Sequence, residues 1–243
     1  YLKPKLYNQE KKIKFTSLDA ISRELEFKKK NVSVIFERAE ELTLSNNKKM
    51  TKYKIKNGFY GGIHNNKPGS GYIDFHAGNI LILSSRGVLI FGKNFIENNA
   101  FNQIKNNLKD FIDYPQFKKD KLFSIKDLLI KQDQVYVSFT EEIKENCWNT
   151  SIVQGDMSYS YINFKKFFSS SNCIFSKDNP EKEFNASQSG GRMISLNEEN
   201  ILFTIGDYRN RFLAQDLDNT NGKIIIINIL NKSHEIISIG HRN

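Results

Sequence analysis

Gln188-Ser-Gly-Gly-Arg-Met193 opens the stretch that decides the fold, and Ile201-Leu-Phe-Thr-Ile-Gly-Asp207 continues it. Ala214-Gln-Asp216, Asn221-Gly-Lys-Ile-Ile-Ile-Ile-Asn228 and Ile239-Gly-His-Arg-Asn243 follow. Each apolar run is short, rich in β-branched residues and bounded by Gly, Asn or Asp, which is the pattern of a strand ending in a turn. Strands are expected near 192–196, 201–205, 223–228 and 235–239. With no helical period between them, they read as a meander of a propeller or barrel.

Working outward, Tyr72–Phe75, Asn79–Leu83 and Gly87–Phe91 read as three strands joined by tight turns, one blade. Ile125–Ile130, Gln134–Phe139 and parts of 150–164 form a second, and the opening stretch is the third. Residues 165–187, rich in Ser, Asn and Lys, read as a long connection. In 95–118, Ile104, Leu108 and Phe111 would suit a short helix, although Asn-rich loop residues surround them. Gly58–Gly62 and Pro68–Gly71 are loop signals, because glycine enters positive φ freely.

Residues 1–56 have a different texture. Thr16 or Ser17 caps an expected helix carrying Leu18, Ile21 and Leu25, with Asp19 favoured in its first turn by the helix dipole. Val32–Phe36 suits a strand. The fold class expected is all-β, propeller-like, with a short mixed N-terminal extension over 1–56 and the propeller over 57–243.

Composition narrows the function classes. The 243 residues, 39% hydrophobic and 12% aromatic, suffice for one large β domain. No apolar run reaches the roughly 20 residues of a membrane-spanning helix. The formal charge of +9 is spread among Asn, Ile and Phe rather than gathered in a stripe, so a nucleic-acid partner is not expected. Cys147 and Cys173 are the two cysteines; neither has a second Cys or His at metal-ligand spacing, so no metal site is assigned.

The order Gly-Gly-Arg, Ile-Gly-Asp, Ala-Gln-Asp-Leu, Asn-Gly-Lys-Ile and Gly-His-Arg-Asn resembles the glucose/sorbosone dehydrogenases. These are six-bladed propellers that use pyrroloquinoline quinone (PQQ) and calcium. The resemblance implies about three blades of six here, so the remaining blades or a second copy would have to close the ring. It implies a periplasmic or secreted protein, and the start at Tyr1 rather than Met suits a removed leader or an anchor before residue 1. It also implies that the chain continues past Asn243 into Pro-Gln-Gly. In that compartment Cys147 and Cys173 can form a disulfide; two unpaired thiols are the alternative.

By the same resemblance, Gln188 occupies the position of the catalytic His, the base that takes a proton from the sugar's anomeric hydroxyl. An amide can hydrogen-bond a hydroxyl but cannot accept its proton at neutral pH. A second departure is Lys121-Leu-Phe-Ser-Ile-Lys-Asp-Leu-Leu129, where the family carries a Gly- and Gln-containing segment near the quinone. Arg242 and Asn243 match a family pair that contacts cofactor and substrate, and a guanidinium suits charge on a reduced quinone. The competing reading of that pair is a turn whose side chains satisfy loop backbone.

Asp207 and Asp216 read as turn residues, and Arg192 as a structural ion-pair partner in its blade. His64 and His76 read as surface or loop residues without an acidic neighbour. Ser138, Ser189 and Ser195 have no nucleophile elbow around them. Two functions follow: a PQQ-dependent aldose or sorbosone dehydrogenase with weak or no activity, or a non-catalytic propeller that binds a sugar, glycan or protein.

Overall fold

The computed structural model describes residues 35–56, 63–64, 67–68, 71–85, 87–93, 101–112, 116, 119, 122–170, 172–177, 179 and 183–239. The helix expected near Leu18–Leu25, the glycine run 58–62, Arg242 and Asn243 lie outside these residues.

The described chain is built of strands. A hairpin of β1 (Ile35–Thr43) and β2 (Lys49–Lys56) turns at Asn47, which adopts positive φ. A two-residue pair, β3 (Ile63–His64) and β4 (Lys67–Pro68), follows. The first blade is an antiparallel meander of β5 (Gly71–His76), β6 (Asn79–Ser84), β7 (Leu89–Lys93) and β8 (Asn102–Asn106). The second holds β9 (Ile125–Lys131), β10 (Gln134–Lys144) and β11 (Cys147–Asp156). After β11 the chain makes β12 (Tyr161–Ile162), β13 (Lys165–Phe168) and β14 (Ile174–Phe175), the last two pairing with β11. The third blade is β15 (Gly190–Ser195), β16 (Asn200–Ile205), β17 (Lys223–Asn228) and β18 (His234–Ile239).

Three expectations are corrected. Residues 102–106 form a strand and Leu108–Asp110 a single 3₁₀ turn, not one helix. Ile104 and Leu108 both reach the core, one from the strand and one from the turn, and this mimics helical spacing. The stretch 165–187 is not a plain connection: it supplies β13, β14 and a 3₁₀ turn at Ala186–Gln188. Finally, Tyr161–Ile162 leaves the second blade and pairs in parallel with β8 of the first.

Why β10 shows no clean alternation follows from its position. Val135, Val137 and Phe139 pack into the core shared with the first blade, alongside Leu81, Leu83 and Leu89. Tyr136 faces the other way, into the core containing Met193, Ile201, Phe203 and Ile225. A strand buried on both faces loses the polar half of the period-2 pattern. A smaller cluster of Phe123, Trp148, Ile174, Ala186 and Tyr208 caps one end.

The first strand of each blade, β5, β9 and β15, stands at the inner edge of its sheet and beside its counterparts. Side chains bind these edges together. The Tyr72 hydroxyl donates to the Ile125 carbonyl at 2.8 Å, and Asp74 accepts the Ile130 N–H at 2.6 Å. At the β9–β10 turn, where Gln132 and Asp133 both adopt positive φ, Gln132 donates to the Glu198 carbonyl and Lys131 donates to Ser195 and the Asn197 carbonyl. Among the described residues no helix is long and apolar enough to cross a membrane.

Candidate functional site

Gln188 closes the 3₁₀ turn that leads into β15. Asn185 caps this turn, its side chain accepting the Ser187 N–H at 2.9 Å. The backbone on either side is clamped: Gln188 N–H donates to Asn185 O at 3.1 Å, Tyr208 N–H donates to Gln188 O at 3.2 Å, and Gly206 N–H donates to Ser189 O at 2.8 Å. The Gln188 side chain is exposed, and among the described residues it has no hydrogen-bond partner.

The glycines here answer a packing need. Gly191 has φ +105°, and a Cβ on it would lie 2.3 Å from Lys126 Cβ. A Cβ on Gly206 would meet the Gln188 carbonyl oxygen at 1.8 Å. Gly222, at φ +70°, would place its Cβ 2.7 Å from that of Ala214, and Lys223 Nζ donates to Leu213 O and Asn221 O at 2.7 and 3.0 Å. Gly-Gly-Arg, Ile-Gly-Asp, Ala-Gln-Asp and Asn-Gly-Lys are thus contacts that hold one loop cluster at the end of the third blade. Burial pulls the Lys223 ammonium below its ordinary pKa.

Beneath the cluster, Thr150 of β11 donates to Ser189 O at 2.6 Å and lies 2.8 Å from the Tyr208 hydroxyl. Burial pushes the Tyr208 phenol far up, so it stays protonated at neutral pH. The Ser189 hydroxyl is buried and has no partner among the described residues.

Arg192 forms the ion pair expected of it, but with the neighbouring blade: its Nη1 lies 2.9 Å from Asp127 Oδ1. Asp127 also accepts the Met193 N–H at 2.8 Å. Burial raises its carboxyl above the usual range, and the Met193 N–H and Arg192 only partly offset this. The guanidinium lies 5.5 Å from the Tyr72 ring centre, and partial burial pushes Tyr72 up to about 12.

Asp207 accepts the Arg209 N–H at 2.9 Å. Asp216 accepts the Asp218 N–H and the Asn219 amide at 3.0 and 2.7 Å, bonds that lower its pKa. Both are turn residues. Ser138 donates to Gly191 O, and Ser195 receives Lys131. His64 lies in β3. His76 departs from expectation: its ring meets Asp133 at 2.7 Å and Tyr159 at 2.8 Å, so it ties the first blade to the second. No sequence signal marks these partners, which lie 57 and 83 residues away.

Cys147 and Cys173 form a disulfide. Pairing of β11 with β14 sets Cys147 opposite Phe175, which brings Cys173 alongside.

The family described as Glucose / Sorbosone dehydrogenase matches residues 125–243. That stretch belongs to the glucose/sorbosone dehydrogenase family. It comprises the second and third blades, with the whole Gln188 loop cluster. A crystal structure of a glucose dehydrogenase is 18% identical with a TM-score of 0.53, covering 71% of this chain and 52% of that one. A second glucose dehydrogenase is 17% identical at 0.50, covering 71% and 56%. The PQQ-bound aldose sugar dehydrogenase of Streptomyces coelicolor is 14% identical at 0.49, covering 72% and 51%. At such identities the first two show the fold, a propeller of which this chain supplies about three blades. The chain spans about half the length of these glucose dehydrogenases. No curated protein matches it.

Around Gln188 the cations are committed: Arg192 to Asp127, Arg209 to Glu183, and Lys126 to the Leu122 carbonyl. Among the described residues no three His, Cys, Asp or Glu side chains converge as a metal site. These residues therefore do not by themselves form a cradle for PQQ or calcium.

Proposed function

We propose that this protein is a sugar-binding relative of the quinone-dependent aldose and sorbosone dehydrogenases whose own oxidation of sugars is weak or absent. The observation that carries this reading is Gln188, an exposed amide on a backbone clamped on both sides. An amide in that place donates to and accepts from a sugar hydroxyl but takes no proton from it. Neither Tyr208, a buried phenol held protonated, nor Ser189, a buried hydroxyl, replaces that base.

PQQ and calcium stand as cofactors by family resemblance alone, with Arg242 and Asn243 as the pair that would touch the quinone. The Cys147–Cys173 disulfide supports a periplasmic or secreted location, since such bonds persist in oxidising compartments. The test is dye reduction by the protein supplied with PQQ and calcium, alongside calorimetric titration with glucose and smaller aldoses. Heat of sugar binding with background dye reduction is expected. Robust turnover would overturn the reading, and absence of both signals would move it to a glycan or protein partner.

A further inference from the structure

Cys147 and Trp148 are consecutive on β11, and Cys173 directly precedes Ile174 of β14. The ladder between these strands is short. It sets Cys147 opposite Phe175 and Trp148 opposite Ile174, and beyond it the Ser176 N–H donates to Asn146 O at 2.8 Å. So short a ladder opens readily unless something else holds it. The disulfide, with Cα atoms 5.3 Å apart, fastens the segment covalently.

The neighbours of the two cysteines fill the cluster under the Gln188 turn. Trp148 and Ile174 are buried there with Phe123, Ala186 and Tyr208. Trp148 stacks on Phe123 with ring centres 3.4 Å apart, and Phe184 stacks on Tyr208 at 5.4 Å. The Trp148 indole N–H is buried and has no hydrogen-bond partner among the described residues, so packing sets the ring. Ala186 opens the turn that Gln188 closes. Tyr208 holds that turn at both ends, its carbonyl accepting the Asn185 N–H at 3.0 Å and its N–H donating to Gln188 O at 3.2 Å. The seat of the turn therefore depends on Ile174 staying against Trp148.

We propose that the Cys147–Cys173 bond is a redox-sensitive brace for the Gln188 turn, with Ile174 and Trp148 as positioning residues. A dithiol reduces it in two steps. One thiolate of the reductant attacks the sulfur of Cys173, the less buried of the pair; the S–S bond breaks, and Cys147 leaves as a thiolate that takes a proton. The second thiolate of the reductant then displaces Cys173, which also takes a proton, and the reductant departs as its own disulfide. With the bond gone, β14 frays from β11, Ile174 withdraws from Trp148, and the turn from Asn185 to Ser189 loosens. β10 and β11 keep their own ladder, so the blades persist. The consequence for sugar rests on the reading of Gln188; the loosening of the turn does not.

Hydrogen exchange on the whole protein, oxidised and in the presence of dithiothreitol, tests the brace. Reduction should speed exchange of amides in 172–176 and 183–190 by about tenfold or more, while 201–205 and 223–228 keep their rates and reoxidation restores the slow ones. Ile174→Ala with the disulfide intact should speed 183–190 in the same way. Unchanged exchange at 183–190, in the reduced protein or in this variant, would overturn the proposal. So would a bond that dithiothreitol leaves intact in the folded protein, or a rise spread evenly over all three blades. Should Ile174→Ala lose its far-UV circular dichroism, the milder Ile174→Val replaces it; a smaller rise at 183–190 is expected, and no rise would overturn the brace likewise. Calorimetric titration with glucose is read separately, and reduction should weaken binding several-fold. Unchanged affinity beside faster exchange would strike Gln188 as a sugar ligand while supporting the brace.

Discussion

Thr150 Oγ1 lies 2.8 Å from the Tyr208 hydroxyl and 2.6 Å from the Ser189 carbonyl, so one side chain of the second blade holds both halves of the loop cluster carrying Gln188. Thr150 donates its single proton to Ser189 and receives that of Tyr208. Thr150→Val keeps the shape and removes both bonds, leaving a buried phenol unpaired. A loss of about 1–3 kcal/mol in urea unfolding is expected. Adding Tyr208→Phe should recover part of it, because the orphaned hydroxyl goes with it. Equal and additive losses would show that the two groups do not interact.

Asp127 makes stability depend on pH in an unusual direction. Its folded pKa is raised by burial, so between the ordinary carboxylate value and that raised value the folded state holds more protons than the unfolded one. Stability contributed by this group is then present below the unfolded pKa and lost as pH rises through the folded pKa. Asp127→Asn should flatten that decline in thermal melts across the acidic range. Arg192→Met should steepen it by removing the counter-charge. Since the Arg192 side chain is 71% exposed, the loss at neutral pH should be about 1–2 kcal/mol, below that of a fully buried pair.

The Cys147–Cys173 bond spans 26 residues. Chain entropy assigns a loop of that length about 3–4 kcal/mol. Reduction, or replacement of both cysteines by Ser, should lower unfolding free energy by about that amount while the strand signal in circular dichroism persists, because β10 and β11 share a long ladder independent of it. Two alkylatable thiols in the non-reduced protein would remove the premise.

The central strands of the third blade were legible because each carries β-branched residues between turn signals, and β16 and β17 fall on the expected residues 201–205 and 223–228 to within one position. The outer strands were not. Lys165–Phe168 and Ile174–Phe175 are too short for a period to register, and their assignment comes from pairing with β11 rather than from their own residues. Gln188 is marked in the sequence by the Gly-Gly-Arg that follows it at one residue's remove. The clamp beneath was hidden, because Thr150 and Tyr208 lie 58 residues apart and nothing local links them. The order of glycine motifs was informative for a physical reason: Gly191, Gly206 and Gly222 each sit where a Cβ would meet a neighbour.

The last prediction concerns Gln188. The backbone on both sides is held by Asn185, Tyr208 and Gly206, so a substitution of the exposed side chain should leave the loop in place. Gln188→Ala should keep the fold and weaken sugar binding by the worth of one neutral hydrogen bond, about 0.5–1.5 kcal/mol. Gln188→His restores an imidazole nitrogen able to take a proton from the anomeric hydroxyl, and a positioned base contributes about 10²–10⁴ in rate. With PQQ and calcium supplied, a gain in dye reduction of that size in the His variant would mean that residues outside the described ones complete a quinone site and that only the base was lost. A rate that falls at low pH, as the imidazole protonates, would separate this gain from a general effect on binding. No gain with binding retained would mean that more than the base has been lost, and would favour the purely binding propeller. Strong turnover before any substitution would sink the assignment of Gln188 and require another proton acceptor, with His241, outside the described residues, the first to replace.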